Sequence, residues 1–354
     1  MEENRSQAPV EIKSLTLDQL QDKIKEMGLP AFRAKQIFQW LHQKRVSSFE
    51  EMTNLPADLR QRLGQGFTIT NLEVDTRLVS AIDGTVKYLF RLPDGNAVES
   101  VLMKYKHGNS LCISTQVGCR MGCKFCASTL GGLVRNLTAA EMLEEVYTAE
   151  ADSGCKVDSL VLMGIGEPLD NYENVMTFLE LLSCPEGKNL SLRHVSLSTC
   201  GLVDKIDQLA EKKLGLTLSI SLHACDNPTR SGIMPVNNRY NIYELLESCR
   251  RYFAATGRRV SFEYALISGV NDTPQQADQL AELLRGMNCH VNLIPVNSVQ
   301  ERGFKRGNRK SIEDFCNRLC KRGINATVRR ELGSDINAAC GQLRRGKEAE
   351  RGQS

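Results

Sequence analysis

An α/β fold is predicted for this 354-residue chain: a partial, open (βα)6 TIM-like barrel with a small N-terminal helical accessory domain and a short antiparallel β insert. Three observations carry this expectation. Strand-like and helix-like windows alternate from Ser110 onward; two Asp-Gly turns punctuate the stretch before them; and helical spacing of apolar residues fills the stretch before that.

Residues 1–67 form the predicted accessory domain. Leu17, Leu20 and Ile24, then Phe32, Ile37, Trp40 and Leu41, recur at helical spacing, with Gly28-Leu29-Pro30 and Asn54-Leu55-Pro56 as breaks. Residues 68–108 form the insert, with strands at Asn71 to Leu78, Thr85 to Leu92 and Ala97 to Tyr105 joined at Asp83-Gly84 and Asp94-Gly95. Residues 109–345 form the main body. Its strands are predicted at Leu111 to Gln116, Val157 to Met163, His194 to Thr199, Leu216 to Leu222, Arg259 to Leu266 and Cys289 to Pro295, with a last one near Ala326 to Glu331. Amphipathic windows at Ala139 to Ala151, Tyr172 to Leu182, Leu202 to Lys212, Ile242 to Ala255, Pro274 to Gly286 and Lys310 to Lys321 lie between them. Continuous apolar strands alternating with helices imply a parallel sheet covered by helices on one side. The polar tail, residues 346–354, is expected to be disordered.

The apolar runs are too short to cross a bilayer, and the start lacks the apolar segment of a signal peptide. Thirteen cysteines, an odd number dispersed along the chain, favour thiol or metal chemistry in a reducing compartment over a disulfide scaffold. A cytoplasmic protein is expected. The net charge of +3 is small, but Arg302 to Lys310, Arg329-Arg330 and Arg344-Arg345 are basic clusters suited to phosphate contacts or to solubility alone.

Chemistry is concentrated in Gly118-Cys119-Arg120-Met121-Gly122-Cys123-Lys124-Phe125-Cys126, three cysteines spaced C-x3-C-x2-C after the first strand of the main body. Three thiolates hold three irons of a [4Fe-4S] cluster and leave the fourth open, whereas a closed electron-transfer cluster normally takes four. An open iron can chelate the amino and carboxylate groups of S-adenosylmethionine (SAM). This spacing is the signature of the radical SAM enzymes, which the chain resembles. A Cys3His zinc site is the rival reading, but His107, twelve positions before Cys119, lies outside the usual ligand spacing. Reactive groups of barrels gather at the C-terminal ends of strands, where this motif falls.

From about Leu15 to Arg345 the chain resembles the RlmN family of adenine C2 methyltransferases, most specifically in Gly333-Ser334-Asp335-Ile336-Asn337-Ala338-Ala339-Cys340-Gly341-Gln342-Leu343. The resemblance implies methylation of adenine 2503 in 23S ribosomal RNA, with adenine 37 of transfer RNA as a second candidate. It implies two SAM molecules per turnover and an electron donor such as flavodoxin or ferredoxin; a monomer is the default expectation. In this family pattern Cys340 is the methyl carrier, Cys112 the resolving cysteine that forms a disulfide with it, and Glu99 the proton acceptor. Cys119, Cys123 and Cys126 match the cluster ligands. Gly166 and Glu167 of Gly164-Ile165-Gly166-Glu167-Pro168 match the SAM amino site, and Ser198, Ser221, His223 and Asn297 match the remaining SAM contacts. Without the resemblance, Cys112 reads as an inert buried thiol and Glu99 as an exposed strand carboxylate. Base extrusion is expected, with Phe304 either stacking on a base or anchoring its own loop. The alternatives are a Cfr-type enzyme acting on adenine C8 and a non-catalytic metal-containing RNA-binding protein.

Overall fold

Helical spacing near the N-terminus becomes α1 (Leu17–Glu26), α2 (Phe32–Gln39) and α3 (Ala57–Gly66) in the computed structural model, which describes residues 9–295, 304–305, 307–336 and 338. Thr16 and Gln19 cap α1 reciprocally. A parallel pair, β1 (Val10–Glu11) with β2 (Phe67–Thr68), ties the two ends of this unit together. Leu20, Ile24, Ile37, Phe38 and Leu63 are fully buried, and their cluster is continuous with the core of the main body.

The central sheet has ten strands. The insert supplies β3 (Glu73–Val79), β4 (Val86–Arg91) and β5 (Ala97–Tyr105), all antiparallel, with Gly84 and Gly95 in the left-handed conformation (φ +72° and +85°) that the two predicted turns need. β6 (Gly108–Cys112) follows, and the chain then leaves the sheet for a small hairpin, β7 (Gln116–Gly118) with β8 (Leu133–Asn136). The remaining elements alternate: α4 (Ala139–Ser153), β9 (Ser159–Leu162), α5 (Tyr172–Ser183), β10 (Val195–Thr199), α6 (Val203–Glu211), β11 (Thr217–Ser221), α7 (Asn227–Ile233), α8 (Ile242–Thr256), β12 (Val260–Leu266), α9 (Pro274–Leu283), β13 (Cys289–Pro295), α10 (Arg309–Lys321) and β14 (Ala326–Val328). Strands β6, β9, β10, β11, β12, β13 and β14 run parallel in that order. Capping boxes start α4 (Thr138, Glu141), α8 (Asn241, Glu244) and α9 (Thr273, Gln276).

Several expectations need correcting. The insert is not a separate unit, because β5 pairs with β6 and carries the antiparallel strands onto the edge of the parallel sheet. The strand expected at Leu111 to Gln116 breaks after Cys112, since Gln116 is drawn away to pair with Asn136 in the β7–β8 hairpin. The openness itself is as expected: β14 and β3 stand at the ends of the sheet, with no pairing between them among the described residues. Nor are the parallel strands continuously apolar. Leu111, Leu160, Leu162, Leu197, Leu218, Ile220, Phe262 and Val291 fall in mutual register on one face and pack under the helices, in one cluster with Leu143, Phe178, Leu209, Leu246, Leu280 and Phe315. Each buried leucine of this kind contributes about 1.5–3 kcal/mol relative to an exposed one. The intervening residues face the other way and are largely polar.

The N-terminal unit is also joined to α4 by a buried ion pair, Lys13 Nζ to Glu144 Oε1 at 2.7 Å. Lys13 donates further to the Thr70 carbonyl (3.0 Å). Removing one partner of such a pair leaves an uncompensated buried charge. Lys13→Met is therefore expected to destabilise the chain by about 3–5 kcal/mol, and Lys13→Met with Glu144→Leu to recover most of that loss. Urea unfolding followed by the fluorescence of Trp40, the single tryptophan, measures both.

Candidate active site

Bridge partners in a β-ladder share a face. Following the register outward from Cys112 gives Val161, Ser196, Ser198, Ser219, Ser221, Glu263, Asn292 and Thr327 on one face; Val101, Glu99 and Lys87 lie on it in the antiparallel direction. This is the face opposite the helices. At the C-terminal ends of the parallel strands it opens into a cavity of about 290 Å³, at the low end of the ~300–1,000 Å³ typical of small-molecule sites. Cys119, Cys123, Cys126, Gly166, Glu167, Ser198, Ser221 and His223 all line it, together with Cys200, Glu263 and Arg329.

The cysteine loop is held at both ends. Gly118 stands at φ +78°, and a Cβ there would lie 2.0 Å from the Gly132 carbonyl oxygen, which already accepts from the Cys119 amide at 2.9 Å. Only glycine fits where β7 crosses β8. Further along, the Lys124 amide donates to the Ile233 carbonyl of α7, and Thr129 Oγ1 to the carbonyls of Cys123 and Cys126. Arg120 pairs with Asp170, its Nε 3.0 Å from Oδ2. Burial pushes the Cys119 thiol up to about 12, and burial likewise raises Cys123, so metal binding there must displace protons. Among the described residues no three His, Cys, Asp or Glu side chains are placed to hold a single metal ion. A four-iron cluster makes a different demand, because each thiolate binds its own iron. Three cysteines on one short, glycine-hinged loop at a cavity mouth suit that group by their donor chemistry.

Gly166 and Glu167 lie after β9. Gly166 has φ +111°, and a Cβ there would come within 2.7 Å of Gln116 Cβ. The Glu167 carboxylate accepts from the amides of Leu169 (3.1 Å) and Cys200 (2.7 Å), while burial raises its pKa. His223 also adopts a left-handed backbone (φ +57°), and its Nδ1 accepts from the Ala265 amide at 2.9 Å. Burial, aided by the charge of Arg230, lowers its pKa to about 3, so the ring is neutral. With Nδ1 accepting, the proton is assigned to Nε2, a hydrogen-bond donor at the cavity.

Two predicted residues sit off the cavity wall. Glu99 is buried, not exposed, and pairs with buried Lys87 across β4 and β5 at 3.1 Å. Cys112 shares a small apolar cluster with Val101 and Met103, against which Val161, Met163, Leu332 and Ala338 pack. Met163 also lines the cavity, so this cluster backs directly onto it. Cys340 and Asn297 lie outside the described residues, as do Arg302, Arg306 and the tail from Gly341 onward. A Cys112–Cys340 disulfide is not supported as a standing bond: no disulfide joins two described residues, and Cys340 is not one of them.

The segment leading toward Cys340 is nevertheless anchored. Asp335 accepts from Ser80 Oγ (2.6 Å) and the Ala81 amide (2.8 Å), and Asp83 accepts from the Gly333 amide (2.9 Å). The turn between β3 and β4 thus grips the chain just after β14. Phe304 packs against the apolar cluster of Cys123, Ile233, Met234 and Ile267. Sequence reading missed Lys87, Cys200, Arg230 and Glu263. The strict alternation of Ser261-Phe262-Glu263-Tyr264 was the available signal for Glu263.

A parallel α/β sheet with three cysteines of C-x3-C-x2-C spacing at its C-terminal mouth defines the radical SAM class. Residues 113–284 match the Radical SAM superfamily, and residues 10–69 match the ribosomal RNA large subunit methyltransferase N-terminal domain. The chain is 55% identical to a probable dual-specificity RNA methyltransferase RlmN of Lachnoclostridium phytofermentans, covering 95% of this chain and 94% of that protein. It is 56% identical to one of Clostridium perfringens, covering 94% and 96%. The crystal structure of a radical SAM methyltransferase from Sphaerobacter thermophilus superposes with a TM-score of 0.89 at 44% identity, covering 94% of this chain and 99% of that one. The chain belongs to the RlmN family.

Gly118→Ala is expected to lower iron and sulfide content after anaerobic reconstitution at least fivefold. Gly131→Ala, whose Cβ would meet nothing within 4 Å, should leave that content unchanged in the same iron and sulfide assays.

Proposed function

We propose that the chain methylates C2 of adenine 2503 in 23S ribosomal RNA, with adenine 37 of transfer RNA as a second substrate, through a methyl-cysteine at Cys340. The observation that carries this reading is the packing of Leu332 and Ala338 against the small apolar cluster that Cys112 forms with Val101 and Met103, on the sheet face that ends in the cysteine loop. Cys340 follows Ala338 by two residues.

Adenine C2 lies between two ring nitrogens and is too electron-poor to attack the methyl group of SAM. A carbon radical held against it can add. Cys119, Cys123 and Cys126 would hold a [4Fe-4S] cluster, which would supply the one-electron reduction that radical chemistry on SAM needs. The chain's own residues position the partners. Glu167, with Gly166 letting the ligand approach the backbone, accepts from the SAM ammonium; Ser198, Ser221, the Nε2–H of His223 and Asn297 make the remaining polar contacts. Cys340, as a thiolate, takes a methyl group from a first SAM and delivers that carbon, after hydrogen abstraction, to C2. Glu99 accepts the proton lost from C2, and the adduct's unpaired electron would return to the oxidised cluster, leaving a closed-shell thioether between Cys340 and the base. Cys112, as a thiolate, then attacks the Cys340 sulfur; the carbon–sulfur bond breaks, the released carbon takes up a proton to become the methyl group, and a transient disulfide is left for an external dithiol to reduce.

On the RNA side, the N-terminal unit, the basic residues Lys305, Arg309 and Lys310, and Arg329-Arg330 contact the backbone, while the target adenine leaves its stack. A flavodoxin or ferredoxin supplies the electron, and the enzyme works as a cytoplasmic monomer. No helix among the described residues is long and apolar enough to cross a membrane.

The anaerobically reconstituted protein should be brown and oxygen-sensitive, and the RNA it modifies should yield 2-methyladenosine on mass mapping. 8-Methyladenosine would replace the C2 reading by the C8 one. Cys112→Ala should accumulate RNA crosslinked through Cys340, seen as a nuclease-sensitive band shift that Cys112→Ala/Cys340→Ala lacks. Clean turnover by Cys112→Ala would remove Cys112 from the reaction.

A further inference from the structure

Arg230, on α7, is the largest side chain fully sealed from solvent. Its guanidinium makes four hydrogen bonds: Nε to the Leu222 carbonyl (3.1 Å), Nη1 to Asn237 Oδ1 (3.1 Å), and Nη2 to the carbonyls of Cys200 (2.7 Å) and Ser221 (3.2 Å). Every acceptor is neutral, and among the described residues Arg230 forms no ion pair. A buried cation without an anion is costly, and carbonyl dipoles offset only part of the penalty. Burial weighs against the charged form of Arg230, and the neighbours that would offset this once ionised are thiols, Cys200 and Cys123 first. Its helix is fastened to the cysteine loop by the hydrogen bond from Lys124 to Ile233, and Pro235 lies against Gly122. Cys123, Cys200, Ile233 and Met234 share one apolar cluster.

Three thiolates outweigh the positive charge of an oxidised four-iron core, and reduction by one electron adds a further negative charge. We infer that Arg230 is the fixed counter-charge of the cluster, stabilising its reduced form and so raising its reduction potential. It is a positioning and tuning residue, and it contacts no substrate. The inference rests on the cluster reading above, and the two can fail separately: wild-type protein that binds no iron sinks that reading, whereas unchanged potentials in iron-loaded variants sink only this one.

The test is an anaerobic redox titration of the reconstituted full chain without SAM, reading the paramagnetic reduced cluster. At the wild-type midpoint, Arg230→Met should lower the ratio of reduced to oxidised cluster at least tenfold, equivalent to about 59 mV for one electron. Arg230→Lys keeps the charge but loses the planar fork, and should stay within threefold of wild type. A midpoint for Arg230→Met within threefold of wild type, or one for Arg230→Lys as low as that of Arg230→Met, would overturn the assignment. If Arg230→Met retains no iron, Arg230→Gln, which keeps amide donors for the carbonyls, is titrated in its place under the same criteria. Loss of iron from both neutral variants with retention in Arg230→Lys supports the counter-charge; loss from all three assigns Arg230 to scaffolding instead.

Discussion

The two-residue period of the β-strand is the constraint on which the molecule depends. Across ten paired strands, each ladder passes the identity of a face to its neighbour, so one choice of register commits every side chain from Lys87 to Thr327. Leucines and other apolar residues take one face and bind the helices; serines, carboxylates and Cys112 take the other. A one-residue slip of β11 would send Leu218 and Ile220 to the cavity side and Ser219 and Ser221 beneath α6 and α8. Core and site are therefore held by the same hydrogen bonds.

Much of this was legible in the sequence because it rests on local signals. Periodicity located α4, α5, α6, α8, α9 and α10 within a few residues but gave no sign of α7, and Gly84 and Gly95 marked turns that only a left-handed backbone could make. The cysteine loop was visible because its ligands are close in the chain. What was not legible depends on partners distant in sequence. Nothing near Ala97 to Tyr105 says that β5 will extend a parallel sheet, since that depends on β6 pairing with both β5 and β9. Glu99 looked exposed because Lys87, which buries with it, lies on another strand. Arg230 drew no reading from the sequence, because the short helix α7 that carries it and the acceptors Cys200, Ser221 and Leu222 lie on separate segments. The alternation in β10 and β12 was present but was overlooked, because parallel strands are commonly apolar on both faces.

Among the described residues, Lys13, Lys87 and Arg230 are buried cations with distinct structural roles. Lys13 meets Glu144 and locks the N-terminal unit to the main body; Lys87 meets Glu99 beneath the antiparallel edge; Arg230 meets only carbonyl oxygens and an amide beside the cysteine loop. The first two resolve their charge within the chain. The third has charge to spare, and it lies where thiolates would gather.

The grip of Ser80, Ala81 and Asp83 on Gly333 and Asp335 has a mechanical corollary. β3 and β14 are the free margins of the sheet, and the chain just beyond each margin is fastened to the other. Among the described residues three hydrogen bonds, and no strand ladder, link the chain near these two margins. Such a seam yields more readily than a ladder, and this one sits at the root of the thiol-bearing segment.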